Sequence, residues 1–147
     1  MNGESVIAFV PIKPIYAEKI ISGIKRYEFR RNSIRNNLGH IIIYASSPIK
    51  KIIGVAEVRG VAGLSPSAAW ESGRHAAGIS RRDYRQYFQG KKRAYVIQIK
   101  RVHPLNRWVC PSDIDDKFCV PQSFSYVDAN FFQRVVEKGM EFTGETT

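Results

Sequence analysis

Hydrophobic and polar positions fall in short blocks whose period changes along the chain. "VIAFVPI" (6–12) is almost wholly apolar and rich in β-branched and aromatic residues, which predicts a buried strand. "PIYAEKIIS" (14–22) spaces Ile15, Ala17, Ile20 and Ile21 as one face of a helix, with Pro14 at its first position and Gly23 as its C-cap. In "KRYEFRR" (25–31) the period drops to two, so Tyr27 and Phe29 face one way and Arg26, Glu28 and Arg30 the other. "GHIIIYAS" (39–46) predicts a near-continuous apolar strand, and "SSP" turns the chain into a longer one, "KKIIGVAEVRGVAG" (50–63), whose glycines permit bends or bulges. Ser65 and Pro66 open a short helix, "SPSAAWES", and Ser80 with Asp83 forms a capping box ahead of "RDYRQYF" (82–88). "RAYVIQIKRV" (93–102) is a strand with Tyr95, Ile97 and Ile99 on one face. Ser112 and Asp115 predict a helical turn in "SDIDDKF" (112–118), Asp128 caps a final helix (129–138) closed by Gly139, and "EFTGETT" reads as a frayed end.

Strands and helices therefore do not alternate regularly, which argues against a doubly wound parallel sheet. The pattern predicts an α+β fold: a small, curved, mixed sheet or partial barrel of five to six strands, with short helices after the first strand and before the last. At 147 residues one domain is expected, its barrel over about 5–127 and a C-terminal helix and tail over 128–147. Cys110 and Cys119 lack paired spacing, and His40, His75 and His103 are scattered, so neither a zinc site nor a cofactor is expected. Two unpaired thiols, no apolar run near the ~20 residues of a membrane span and no signal-peptide pattern predict a cytoplasmic protein with no membrane partner.

Charge sharpens the picture. The chain holds 23 Lys and Arg against 13 Asp and Glu. The excess is concentrated before residue 108, and the segment 108–147 is net acidic. A field of that sign favours polyanions and makes binding salt-dependent.

Signatures of common catalysts are missing: there is no nucleophile elbow, P-loop, dinucleotide fingerprint or H-E-x-x-H. "DIDD" has oxygen ligands for Mg²⁺ or Ca²⁺, but such runs are more often solvated helix starts. The informative stretch is "SGIKRYEFRR" (22–31). There Glu28 lies between cations, where a carboxylate can accept a base amino group while Lys25 meets a phosphate or carbonyl oxygen. Its competing reading is a solvated Glu–Arg ladder.

The run "IKPIYAEKIISGIKRYEFRR" resembles the opening of the ASCH superfamily of PUA-like domains, whose pattern G-x-K-x-x-E-x-R falls on Gly23, Lys25, Glu28 and Arg30. "IIIYASSPIKKIIGVAEV", the stretch from Ala69 to Val102 and "VPQSFSYV" are similar to its later elements, so the likeness spans about 5–127. The resemblance implies a pseudo-barrel with a cleft that takes RNA or a modified nucleotide, often in regulators of translation or transcription. By position Lys13, Lys25, Glu28 and Arg30 line that cleft, Tyr44 and Ser46 approach from the opposite wall, and Tyr16 and Tyr44 offer stacking faces. It also implies a rival, hydrolytic role. One active relative type deacetylates N4-acetylcytidine with a lysine, a threonine nucleophile and a glutamate base. Lys25 matches that lysine, but Glu28 stands at the threonine and Ala77 at the glutamate, which removes the nucleophile. Ribonuclease activity is also associated with such domains, with Lys25 and Glu28 as acid and base.

A second basic cluster, "SRRDYRQYFQGKKR" (80–93), offers Arg81, Arg82, Arg85, Lys91, Lys92 and Arg93 for phosphates, with Tyr84 and Tyr87 interleaved. The expected function is thus recognition of RNA or a modified nucleotide, with DNA as a substitute ligand. The alternatives are a hydrolase on the same ligand class and a protein-interaction module using the acidic C-terminal segment. The sequence leaves oligomeric state open.

Overall fold

In the computed structural model residues 4–140 are described, so the tail read as frayed lies outside the described residues. β1 (Val6–Ile12) supplies Ala8, Val10 and Ile12 to one core layer and Phe9 to another, which is why it reads as continuously apolar. β3 (Leu38–Ala45) does the same, with Ile41 and Ile43 on one side and Ile42 and Tyr44 on the other. These two strands pair in parallel, and α1 (Pro14–Ile21) and β2 (Tyr27–Arg30) lie between them in sequence. β4 (Lys51–Leu64) and β5 (Ala94–Val109) form a long antiparallel ribbon, and β6 (Ser125–Val127) pairs with β1. The sheet runs β2-β5-β4-β3-β1-β6.

The barrel is not closed by backbone pairing, because β2 and β6 remain at opposite ends of the order. A side chain spans the gap instead. Arg30 donates from Nη2 to the Ser123 carbonyl at 2.9 Å and from Nη1 to the Pro11 carbonyl at 3.5 Å, tying β2 to the strand and segment on the other side.

Three core layers follow from this curl. Inside it, α1 buries Ala17 and Ile20 against Val10, Ile41, Ile43 and Ile97. On the outer face α4 (Ala129–Gly139) packs Phe131 and Val135 near Phe9, Ile42, Tyr44 and Val55. α2 (Pro66–Gly73) and α3 (Arg81–Tyr87) cover β2 and the start of β5 through Trp70, Tyr84, Phe29 and Val96. The caps sit where the sequence put them: Ser65, Ser80 and Asp128 accept from the backbone N–H of Ala68, Asp83 and Phe131 at 3.2, 3.0 and 2.8 Å. Gly23, at φ 85°, turns the chain out of α1.

Three expectations are corrected. The strand expected over 25–31 begins only at Tyr27, because the Lys25 and Arg26 N–H groups bond to Lys19 and Ala76 carbonyls instead of a ladder. β5 continues past Val102 to Val109, and Pro104 is tolerated because the β4–β5 register shifts between Ile52 and Gly54, beside Pro104 itself. The helical turn at 112–118 shrinks to a 3₁₀ turn, Pro111–Asp113, and Asp115 accepts from the Lys117 N–H at 3.0 Å rather than capping a helix.

Candidate functional site

The turn at Gly23 brings the chain back beside the segment after α2, and three bonds stitch the two together. Lys19 Nζ donates to Gly78 O at 3.2 Å, Lys25 Nζ to Ala77 O at 2.6 Å, and the Arg26 N–H to Ala76 O at 2.8 Å. Gly78 has φ 66°, and a Cβ there would meet Lys25 Cβ, Cγ and Cδ at 2.5–3.0 Å. A glycine is therefore needed for the lysine stem to pass. The alternation of β2 then places Glu28 and Arg30 on the side of that lysine, with Tyr27 packed toward α2.

Glu28 lies between two cations. Its Oε1 is 3.6 Å from Lys25 Nζ, and its Oε2 accepts from Arg30 Nη1 at 3.0 Å. Lys25 is 3 % exposed and Glu28 5 %, the two buried charged residues among those described. The competing reading, a solvated ladder, requires exposed side chains, so burial removes it. Carboxylate and arginine satisfy each other, and the amine also sits over the Phe29 and Tyr16 rings at 5.0 and 5.7 Å from their centroids.

This triad forms the floor of an open cavity of about 800 Å³. Tyr16 comes from α1, and Asp83 and Tyr87 come from α3. Arg31 stacks its guanidinium 4.6 Å from the Tyr87 centroid. Lys13, Lys25, Arg30 and Arg31 face Glu28 and Asp83 across the lining, so the cavity is net positive yet carries two carboxylates. The volume suits a single nucleotide-sized ligand.

Burial holds the Lys25 pKa below the ordinary lysine value, and Glu28 pulls it back up only in part. Burial likewise raises the Tyr16 phenol, and the negative charges of Asp83 and Glu28 add to it. Tyr84 is pushed up to about 12 by burial and donates to Pro66 O at 2.6 Å. It is a structural ring. In sum, the floor offers carboxylate oxygens with lone pairs to spare, a shielded amine, and aromatic faces in the walls.

Of the residues singled out from sequence, Lys13, Tyr16, Lys25, Glu28 and Arg30 are brought together here. Tyr44 is not. β3 turns it to the outer face, 7 % exposed and 5.2 Å from the Phe9 ring, where burial raises its pKa. The alternation that points Ile43 inward fixes Tyr44 outward. Ser46 gives its backbone N–H to Ile12 O at 2.9 Å and lies beyond the lining. Arg81, Arg82, Arg85, Lys91, Lys92 and Arg93 are exposed around α3 and the turn after it; Arg81 lies 5.9 Å from the Trp70 ring. None of the six lines the cavity, because α3 turns Asp83, Gln86 and Tyr87 inward instead. Arg31, Asp83, Tyr87 and Ser123 were not picked out as cleft residues. All four stand in stretches quoted above, Asp83 as part of a capping box and Tyr87 as part of the second basic cluster, but nothing in their spacing marks them as cleft residues. Among the described residues no group of His, Cys, Asp and Glu is placed to hold a metal, both cysteines are free, and no helix is long and apolar enough to cross a membrane.

Comparison with known proteins places the fold. A protein from Zymomonas mobilis described as an ASCH domain-containing ribonuclease is 29 % identical over 136 residues, 88 % of this chain and 89 % of its own. A crystal structure of ASCH from the same organism superposes with a TM-score of 0.82 at 29 % identity, over 89 % of this chain and 94 % of that one. The N-terminal domain of Staphylothermus marinus McrB shares the fold alone, with a TM-score of 0.61 at 15 % identity over 95 % and 99 % of the two chains. The α+β, PUA-like architecture expected from the sequence is the one found, with its sheet left open. The ASCH domain model matches residues 10–104, well over half of the sequence, and this chain belongs to the ASCH domain family.

Proposed function

We propose that this ASCH domain binds RNA, taking one base or modified nucleoside into the cavity while the surrounding basic surface holds phosphates. The observation that carries the reading is the buried carboxylate of Glu28, fixed between Lys25 and Arg30 on the floor of an open, net-positive cavity. A buried carboxylate on the cavity floor is a strong acceptor for the exocyclic amine of cytosine, adenine or guanine. Tyr16 and Tyr87 supply faces on which an unstacked base rests, the usual way proteins read single-stranded RNA. Phosphate contacts supply affinity and the floor supplies selectivity. The exposed cations of 81–93 extend the positive surface beyond the α3 wall.

A second reading is hydrolysis of the same ligand. It is favoured by the relative described as a ribonuclease and by Lys25, whose lowered pKa and 3.6 Å distance to Glu28 suit a proton-transfer pair. One experiment separates them. Fluorescent single-stranded RNA is titrated at several salt concentrations, and the RNA is then examined by mass spectrometry. Binding that weakens with salt and leaves the RNA intact supports the first reading. Cleaved RNA that stays whole with Lys25→Met supports the second. Absence of binding at low salt removes both.

A further inference from the structure

We infer a second base-stacking site at Tyr126 and Arg35, outside the cavity and continuous with it, so that the RNA track is longer than one nucleotide. The inference rests on the RNA-binding reading above. It begins from an aromatic ring that packing does not explain. Tyr126 is 39 % exposed, although β6 pairs it with Ala8 in the middle of β1. Ala8 belongs to the inner core layer, as do Val10 and Ile12, so Tyr126 stands on the same side of the sheet as the cavity floor.

The ring is held in place rather than left to swing. Its hydroxyl accepts the Arg35 N–H at 3.0 Å, the Arg35 guanidinium lies 5.0 Å from its centroid, and Phe124 meets it at 5.5 Å in an edge-on arrangement. The loop that carries Arg35 is itself anchored, because Ile34 is 5 % exposed in the inner core. An exposed aromatic ring held through its hydroxyl by a backbone N–H, with a cation beside it, is a preorganised platform for a base and its phosphate.

A path joins it to the cavity. Ser123 lines the cavity and accepts from Arg30, and its hydroxyl also accepts from Asn32 Nδ2 at 3.1 Å. Tyr126 lies three residues on, about 10 Å of extended chain at roughly 3.3 Å per residue. The same loop runs alongside from Arg31, against Tyr87 in the cavity, to Arg35 against Tyr126. Two arginine–aromatic pairs thus mark the two ends of one edge, with polar groups between them. The base stacks on the open side of the Tyr126–Arg35 pair, and Arg35 meets the phosphate.

The test uses the full chain with four probes: CMP, AMP and the single-stranded hexanucleotides of cytidylate and adenylate. Wild type is compared with Tyr126→Phe, which keeps the ring, and Tyr126→Leu, which keeps only apolar bulk. The expected result is that Leu weakens the hexanucleotides about 10-fold, leaves the mononucleotides unchanged and keeps the melting temperature, while Phe, which keeps the ring and loses only the hydroxyl anchor, binds the mononucleotides as wild type does and weakens the hexanucleotides less than Leu. Arg35→Ala lowers the salt slope for the hexanucleotides by about one. Hexanucleotide binding equal in Leu and wild type overturns the second site and leaves the cavity reading intact. A Leu variant that loses melting temperature and mononucleotide affinity together also overturns it, since the ring is then a packing element. Failure of wild type to bind any of the four removes the cavity reading itself.

Discussion

Replacing Glu28 with glutamine tests the arrangement on which the site depends. The substitution keeps the shape and one carbonyl oxygen for Arg30 but removes the charge between two buried or half-buried cations. With an effective dielectric near 20, Coulomb's law gives roughly 5.5 kcal/mol for the 3.0 Å contact and roughly 4.6 kcal/mol for the 3.6 Å one. Much of that offsets the cost of dehydrating the carboxylate, which the variant no longer bears. Measured losses on removing one member of a buried pair are about 3–5 kcal/mol, and the retained hydrogen bond puts Glu28→Gln near ~3 kcal/mol. For a chain of this length that is a fall in melting temperature of about 6–12 °C, at roughly 2–4 °C per kcal/mol. Urea unfolding and thermal melts at neutral pH read it directly. A loss below about 0.5 kcal/mol, the range of an ordinary surface change, would refute Glu28 as a buried counter-ion and with it the electrostatics of the floor.

Three further outcomes follow from named contacts. Because burial lowers the Lys25 pKa, the unfolded chain binds more protons than the folded one between the folded value and the ordinary 10.5, and stability rises with pH across that window. The cost of burying the ammonium is complete below the window and vanishes above it, so wild type should gain on Lys25→Met as pH climbs to 10.5; a constant difference counts against a strained amine. Replacing Arg81, Arg82 and Arg85 together with glutamine should leave the fold intact and reduce the salt slope of single-stranded RNA binding by about 2, at ~0.7 per phosphate contact, and an unchanged slope would place the RNA elsewhere. Asp128→Ala should cost about 1 kcal/mol through its lost bond to the Phe131 N–H, without altering RNA affinity; weaker RNA binding would show that α4 takes part in the site.

Legibility differed between local and non-local features. Caps and apolar periods are local signals, so Ser65, Ser80, Asp128 and the alternation of Glu28 with Phe29 were readable before any fold was known. Lys25, Glu28 and Arg30 stand close in sequence, and one turn at Gly23 and one strand bring the three together on the cavity floor. The walls come from distant segments. Asp83 and Tyr87 reach the cavity only because α3 docks Tyr84 and Phe88 inward, which rotates its arginines to solvent. Ser123 is drawn in by Arg30, 93 residues away. Tyr44 shows the converse limit: in a strand covered on both faces every residue is apolar or aromatic, so composition does not say which face a tyrosine takes. The extension of β5 through Pro104 was hidden for a related reason: the glycines of β4 signal that a bulge is permitted but not which residue of the partner strand stands opposite it.

The central claim is that a base enters the cavity above Glu28, and the most direct measurement is photocrosslinking of single-stranded RNA carrying 8-azidoadenosine, which keeps the exocyclic amine, with the adducts mapped to residues by mass spectrometry. The account predicts adducts on Tyr16, Tyr87 and the β2 segment, displaced by excess unlabelled RNA and lost with Glu28→Gln where that variant remains folded. Adducts confined to the outer face around Tyr44 and α4, with the cavity unlabelled, would contradict it.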